Sequence, residues 1–145
     1  MNFQIKKKPF YWNFLKLFFK GYNHRRTYVA FRNCIYVPEL LADDHDAIIE
    51  HEKVHLIQQK NFGGHWRWLF KYLFDKEFRY LQEVPGYAAQ IVSLEKLAPN
   101  REMLLTIAAR IISGPEYGKM VSFHRAYADL EKWVKVPIDI LNYGG

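Results

Sequence analysis

His51, Glu52 and His55 form the pattern H-E-x-x-H within Ile49-Glu50-His51-Glu52-Lys53-Val54-His55. On an α-helix, residues four apart lie one above the other on the same face, so both imidazoles can reach one metal ion. Glu52, one residue round the helix from His51, stands beside that ion, where it can take a proton from a metal-activated water. The plainer reading is a pair of packed or surface histidines on an ordinary helix. The neighbours weigh against it. Ala47, Val54 and Ile57 flank one side of the histidine stripe, and Ile49 and Leu56 the other. A helix apolar on more than one side is mostly buried, and two buried imidazoles on one face need partners.

A catalytic zinc takes three protein ligands and keeps a fourth position for water, so the pattern requires a third group. Cys34 is the only cysteine, which excludes both a thiolate site and an internal disulfide. The missing ligand must be a histidine or a carboxylate. A third histidine six residues after the second is ruled out by Asn61, and His65 would require the chain to double straight back after Gly63-Gly64. Glu83 is better placed. It falls at the expected start of a helix, with Tyr87 one turn further on the same face. The helix dipole also favours a glutamate at that position for its own sake, so spacing alone leaves both readings open.

The elements that must position these groups are mostly helical. Asp43 or Asp44 is expected to cap the metal helix, with Asp46 in its first turn and Gly63-Gly64 closing it. Before it, residues 27–31 and 34–37 are rich in β-branched and aromatic side chains around Arg32-Asn33. They predict a hairpin or small sheet edge, ended by Pro38. An extended edge beside a zinc site is a place where a peptide can add as a strand. Residues 9–22 predict a short basic aromatic helix ended by Gly21, which either packs across the back of the domain or lies on a membrane surface. A third helix is expected over 65–80, with Trp66, Leu69, Leu73 and Tyr80 on one face. Pro85 suits a first turn and not a helix interior, which places Glu83 at the start of a fourth helix running to about Leu97. Helices over 101–113 and 116–134 follow. The expected fold class is mainly α (α+β), one domain over residues 1–145 with the basic aromatic helix of 1–24 packed on it.

Composition bounds the rest. With 145 residues, half of them hydrophobic and 17% aromatic, the chain is neither disordered nor dependent on staples for a core. The net charge of +6 favours acidic partners, nucleic acid or an anionic surface, through Lys6–Lys8, Lys16, Lys20, Arg25, Arg26 and the Trp66-Arg67-Trp68 group. No apolar run approaches the roughly 18–20 residues that span a bilayer. The N-terminal stretch lacks the small-residue cleavage site of a secretion signal, so a cytoplasmic protein is expected.

The runs Ile35-Tyr36-Val37-Pro38, His51-Glu52-Lys53-Val54-His55 with Gln58 or Gln59 behind it, and Glu83-Val84-Pro85-Gly86-Tyr87-Ala88-Ala89-Gln90 together resemble a known family. They are similar to the small single-domain zincin-type metallopeptidases of the gluzincin kind, many of them encoded by phages and bacteria. The resemblance covers roughly residues 27–90. It implies a zincin-like domain with a Zn²⁺ cofactor on His51, His55 and Glu83, hydrolysing a peptide or protein substrate with Glu52 as general base, in the host cytoplasm where phage-encoded. In that family a downstream E-x-x-A-Y-like signature is taken to give the third ligand. Here Pro85 stands where a second acid is common, and Gly86 replaces alanine. The developing oxyanion needs a further donor, for which Tyr87 and His124 are candidates, although His124 also reads as an ordinary packed or exposed histidine. Asp44 and Asp46 can orient a ligand imidazole from behind, or simply cap the helix. Two other functions compete: an inactive zincin fold that works by binding, and a basic nucleic-acid or membrane-surface module.

Overall fold

The computed structural model describes residues 2–137, so Met1 and the end of the expected 1–145 domain lie outside the described residues. Helices carry most of the chain beside one small sheet, an α+β arrangement as expected. The sheet centres on β3 (Cys34–Val37). Strand β2 (Val29–Phe31) pairs with it antiparallel through the turn at Arg32-Asn33, in register Phe31↔Cys34 and Val29↔Tyr36. Arg32 takes a positive φ of 61° to make so tight a turn. A strand not read from the sequence, β1 (Gln4–Lys7), pairs parallel to the other side of β3. All four of its residues are exposed, so backbone pairing holds it and no apolar alternation announces it.

The outer edge of β2 is closed. The Gln59 side chain donates to the Ala30 carbonyl at 2.8 Å and accepts from the Arg32 N–H at 2.9 Å, as a neighbouring strand would. The edge expected to receive a peptide is therefore already paired at these two residues.

Helix α1 (His45–Asn61) is largely buried, as its apolar flanks require: Ala47, Ile49, Val54 and Leu56 sit in the interior together with His51, Glu52 and His55. Gly63 and Gly64, at φ 86° and 130°, turn the chain out of it. The helix expected over 65–80 is instead two. Helix α2 (His65–Phe74) stops at Asp75, whose backbone is extended and whose side chain accepts the Phe78 N–H at 2.9 Å, capping α3 (Lys76–Glu95). Glu83 and Pro85 therefore lie in the middle of α3, not at its start. Proline costs that helix one hydrogen bond, to the carbonyl of Leu81. Leu81 is on the exposed side of α3, where water can serve the carbonyl.

On α2 the inward face is Trp68, Leu69, Tyr72 and Leu73, while Trp66, expected to share a face with Leu69 and Leu73, is 67% exposed. Helix α4 (Arg101–Ser113) matches its expected span, started by the Asn100 side chain on the Met103 N–H. The last helix is shorter than expected: residues 115–117 form a separate 3-10 turn, and α5 (Phe123–Trp133) begins at a Ser122 cap. The N-terminal aromatic segment is a 3-10 helix (Phe10–Leu17) that buries Trp12 and Leu15.

Three apolar clusters hold these elements together. Helices α3, α4 and α5 meet through Tyr80, Val84, Leu105, Ile112 and Leu130. The sheet packs on α1 through Tyr28, Ile35, Ile49 and Leu56. The N-terminal segment packs on β2 and α2 through Trp12, Leu15, Tyr22 and Phe31, with Leu69 and Leu73 against them. No described helix is long and apolar enough to cross a membrane.

The break at residue 75 sets the register of α3. Asp75→Ala removes its cap and is expected to cost about 1 kcal/mol in urea unfolding. An unchanged midpoint would show that packing alone makes the break.

Candidate metal centre

Helix α1 presents His51, Glu52 and His55 together, all buried, with their ligating atoms within 4.8 Å of one another. This group could hold a metal ion. Helix α3 crosses α1 and adds a second carboxylate, Glu83, which is 1% exposed. The helices approach closely because Gly86 has no side chain: a Cβ there would stand 2.8 Å from both Cδ2 and Nε2 of His51. The glycine noted as a departure from the family signature is thus the space for an imidazole.

Both rings are oriented from behind, and the orientation can be assigned. Gln90 Nε2 donates to the Asp44 carboxylate at 3.2 Å, so Gln90 Oε1 is the atom that faces His51 Nδ1, at 3.1 Å. Gln58 Nε2 donates to the Gln82 carbonyl at 3.0 Å, so Gln58 Oε1 is the atom that faces His55 Nδ1, at 2.8 Å. Neither amide can flip without setting a donor against a donor or an acceptor against an acceptor. Each Nδ1 must therefore carry the hydrogen, and each Nε2 is left with a lone pair. Asp44 takes part through Gln90, and its side chain makes no cap bond to α1. Asp46 stays in the first turn of α1, exposed.

The two Nε2 atoms face each other at 3.1 Å. His51 Nε2 lies 3.3 Å from Glu83 Oε2, and His55 Nε2 lies 3.2 Å from Glu83 Oε1. Ligand atoms about 2.0–2.1 Å from a tetrahedral zinc lie roughly 3.3–3.4 Å from one another, and the three contacts, one to each Glu83 oxygen and one between the rings, are of that size. Glu83 Oε2 is buried without a hydrogen-bond partner among the described residues, an orphan that a cation would satisfy. Tyr72 donates to the other oxygen, Oε1.

Without a metal, charge is shared inside the cluster. Burial opposes a charge on His55, but the Glu83 carboxylate beside it raises the imidazole to about 9. Burial likewise opposes the charge on Glu83, yet His55 and His51 hold its carboxyl well below the usual range. Burial pushes Glu52 up. Burial and the Glu83 charge push Tyr72, Tyr87 and Tyr117 up, so all three remain neutral phenols able to donate.

A cavity of about 280 Å³ opens over the cluster, reaching His51, Glu52, His55 and Glu83. One wall is the N-terminal segment (Trp12, Leu15, Phe19), another α2 (Trp68, Leu69, Leu73), and Tyr87 and Tyr117 also line it. Tyr87 packs edge-on to the His51 ring, with centroids 4.6 Å apart, and its hydroxyl lies 3.1 Å from that of Tyr117.

Of the candidates read from sequence, the fold brings together His51, Glu52, His55, Glu83 and Tyr87. It does not bring in His124. That residue is exposed on α5, which turns Ala126 and Leu130 inward and leaves His124 against Phe123, outside the cavity. Gln90, Tyr72, Tyr117 and Gly86 carry parts of the site that sequence reasoning did not assign. Gln90 had a legible signal, two turns from Glu83 on the same helical face, and so had Tyr72, one turn from Trp68 on the buried face of α2. Tyr117 had none. No protein-family model, curated protein or solved structure matches this chain.

In the metal-free protein, His55 has a folded pKa above its unfolded value near 6.5, so its stabilising contribution is complete below 6.5 and is lost as pH rises through about 9. The raised Glu52 acts in the same direction, because ionising it in the interior costs stability. Chelator-treated protein is expected to lose on the order of 2–3 kcal/mol between pH 6.5 and 9. A flat profile of urea midpoints would contradict the pairing of His55 with Glu83.

Proposed function

We propose that the chain is a zinc-dependent metallopeptidase of the zincin type, with His51, His55 and Glu83 as metal ligands and Glu52 as general base. One observation carries this reading: two imidazole Nε2 atoms and a carboxylate converge in the interior at separations close to those of metal ligands. Of the two buried carboxylates, Glu83 is the ligand because it contacts both rings. Glu52 is thereby left at the side of the cluster, free to handle a proton. A bound zinc would supply a Lewis acid and a water acidified from about 15.7 towards 7.

The protein's own groups account for the rest. Glu52, raised by burial, is a better proton acceptor than an exposed carboxylate and can pass the proton to a leaving amine. Gln58 and Gln90 keep both imidazoles in the tautomer that presents Nε2. The neutral hydroxyls of Tyr87 and Tyr117, both lining the cavity, are the donors for a developing oxyanion. With the β2 edge paired to Gln59, substrate is held mainly by the aromatic walls of the cavity, which suit apolar side chains.

The inactive-fold reading gives Glu52 no task beside a metal. Base stacking is disfavoured because Trp68 is buried with its indole N–H on Gln82, so the Trp66-Arg67-Trp68 group offers no joint platform.

Metal analysis of purified protein is expected to find about one zinc per chain. His51→Ala, His55→Ala and Glu83→Ala should each lose it. Glu52→Gln should keep it while cleavage of a peptide library falls by about 10²–10⁴-fold. Full zinc occupancy in Glu83→Ala would remove the third-ligand assignment, and undiminished cleavage by Glu52→Gln would remove the mechanism. Gln58→Ala and Gln90→Ala are each expected to weaken zinc binding by about 10–100-fold, measured by competition with a chromogenic chelator.

A further inference from the structure

The walls of the cavity have outer faces, and these are apolar. Helix α2 turns Trp66, Phe70 and Phe74 outward at intervals of four, 67%, 68% and 61% exposed, with Arg67 and Lys71 in the adjoining row. The 3-10 helix turns out Phe10 at 81% and Leu17 at 85%. The two faces are continuous, because the Phe18 ring meets Phe74 edge-on at 5.3 Å and Phe74 meets Phe70 at 4.7 Å. So large an apolar surface, exposed among the described residues, marks an interaction site.

Charge identifies the occupant. Before Glu39 the chain has eight Lys and Arg and no acid, and no acid lies between Glu52 and Asp75. Both elements of the patch fall inside these acid-free stretches, with Lys16, Lys20, Arg67 and Lys71 exposed around the apolar surface. Exposed aromatic and leucine side chains ringed by bases match a bilayer interface bearing anionic headgroups, where the apolar groups enter the acyl boundary and the bases meet the charge. A second copy docked face to face would set like charges together. A nucleic acid would use the bases and aromatic rings but has no use for Leu17, the most exposed of these side chains.

We propose that the outer faces of the 3-10 helix and α2 form one docking surface for an anionic membrane, binding peripherally without a spanning segment. The same two elements line the cavity with their inner faces, so docking would hold two of its walls at the lipid surface. The proposal does not depend on the metal reading.

The test is co-sedimentation of the full chain with vesicles of phosphatidylcholine alone or with about a third phosphatidylserine. Binding is expected to the anionic vesicles, at least tenfold weaker to the neutral ones, and to fall steeply with salt. Leu17→Ser with Phe74→Ser is expected to lower the affinity at least tenfold while leaving the thermal midpoint in place, since both residues are exposed. Chelator-treated and zinc-supplemented protein are expected to bind alike, so a failure of the metal reading would be seen separately. No vesicle binding, or an affinity untouched by the double variant, overturns the proposal. So does tighter binding to single-stranded nucleic acid that ignores the double variant, or self-association that the double variant abolishes.

Discussion

Acceptors that face one another without a donor between them are the constraint on which this structure turns. Two amides fix two imidazoles so that both Nε2 lone pairs point at each other and at the Glu83 carboxylate. Water cannot dilute that repulsion in the interior. The cluster therefore requires a positive charge, whether a proton shared with His55 or a metal ion. Each answer has its own consequence. A proton makes the site an ion pair that weakens with rising pH, whereas a metal must displace that proton, so its binding strengthens with rising pH and it supplies chemistry.

Much of the surrounding architecture serves to keep those acceptors together. The close contact of α1 and α3 depends on Gly86, and the register of α3 on the cap at Asp75. Together they place Glu83 opposite both rings and Gln90 behind one of them. A helix started later, as Pro85 suggests, would have left Glu83 in its first turn, where its orientation would have been far less determined. The proline is accepted inside α3 because the hydrogen bond it removes lies on the exposed side of Leu81, away from the buried histidine–glutamate cluster.

The N-terminal segment and α2 have two faces with different partners. Inward, their aromatic side chains wall the cavity that reaches the charged cluster. Outward, a second set of aromatic side chains lies exposed among bases in the described residues. Of Lys6–Lys8, Lys8 is turned in, donating to the Thr27 carbonyl and lying over the Tyr22 ring at 4.8 Å. Burial brings its ammonium down to about 8, against the pull of Glu52. The basic character of the segment is thus divided between anchoring the wall and facing outward.

The sequence alone determined what depends on neighbours a few residues apart: the stripe of His51 and His55, Glu52 beside them, the hairpin at Arg32-Asn33, the glycines that end α1 and the mainly helical fold class. These follow from periodicity and backbone stereochemistry, which act over one or two turns. Only the tertiary structure decided what depends on distant groups meeting. It paired β1 with β3, broke the expected helix at Asp75, sent Trp68 inward and Trp66 outward, and left His124 outside the cavity. It also turned Gly86 from an apparent departure into a clearance for His51 and joined Asp44, Gln90 and His51 in one chain of hydrogen bonds. Such features arise from two helices crossing at a particular depth and register, and no local pattern encodes that distance.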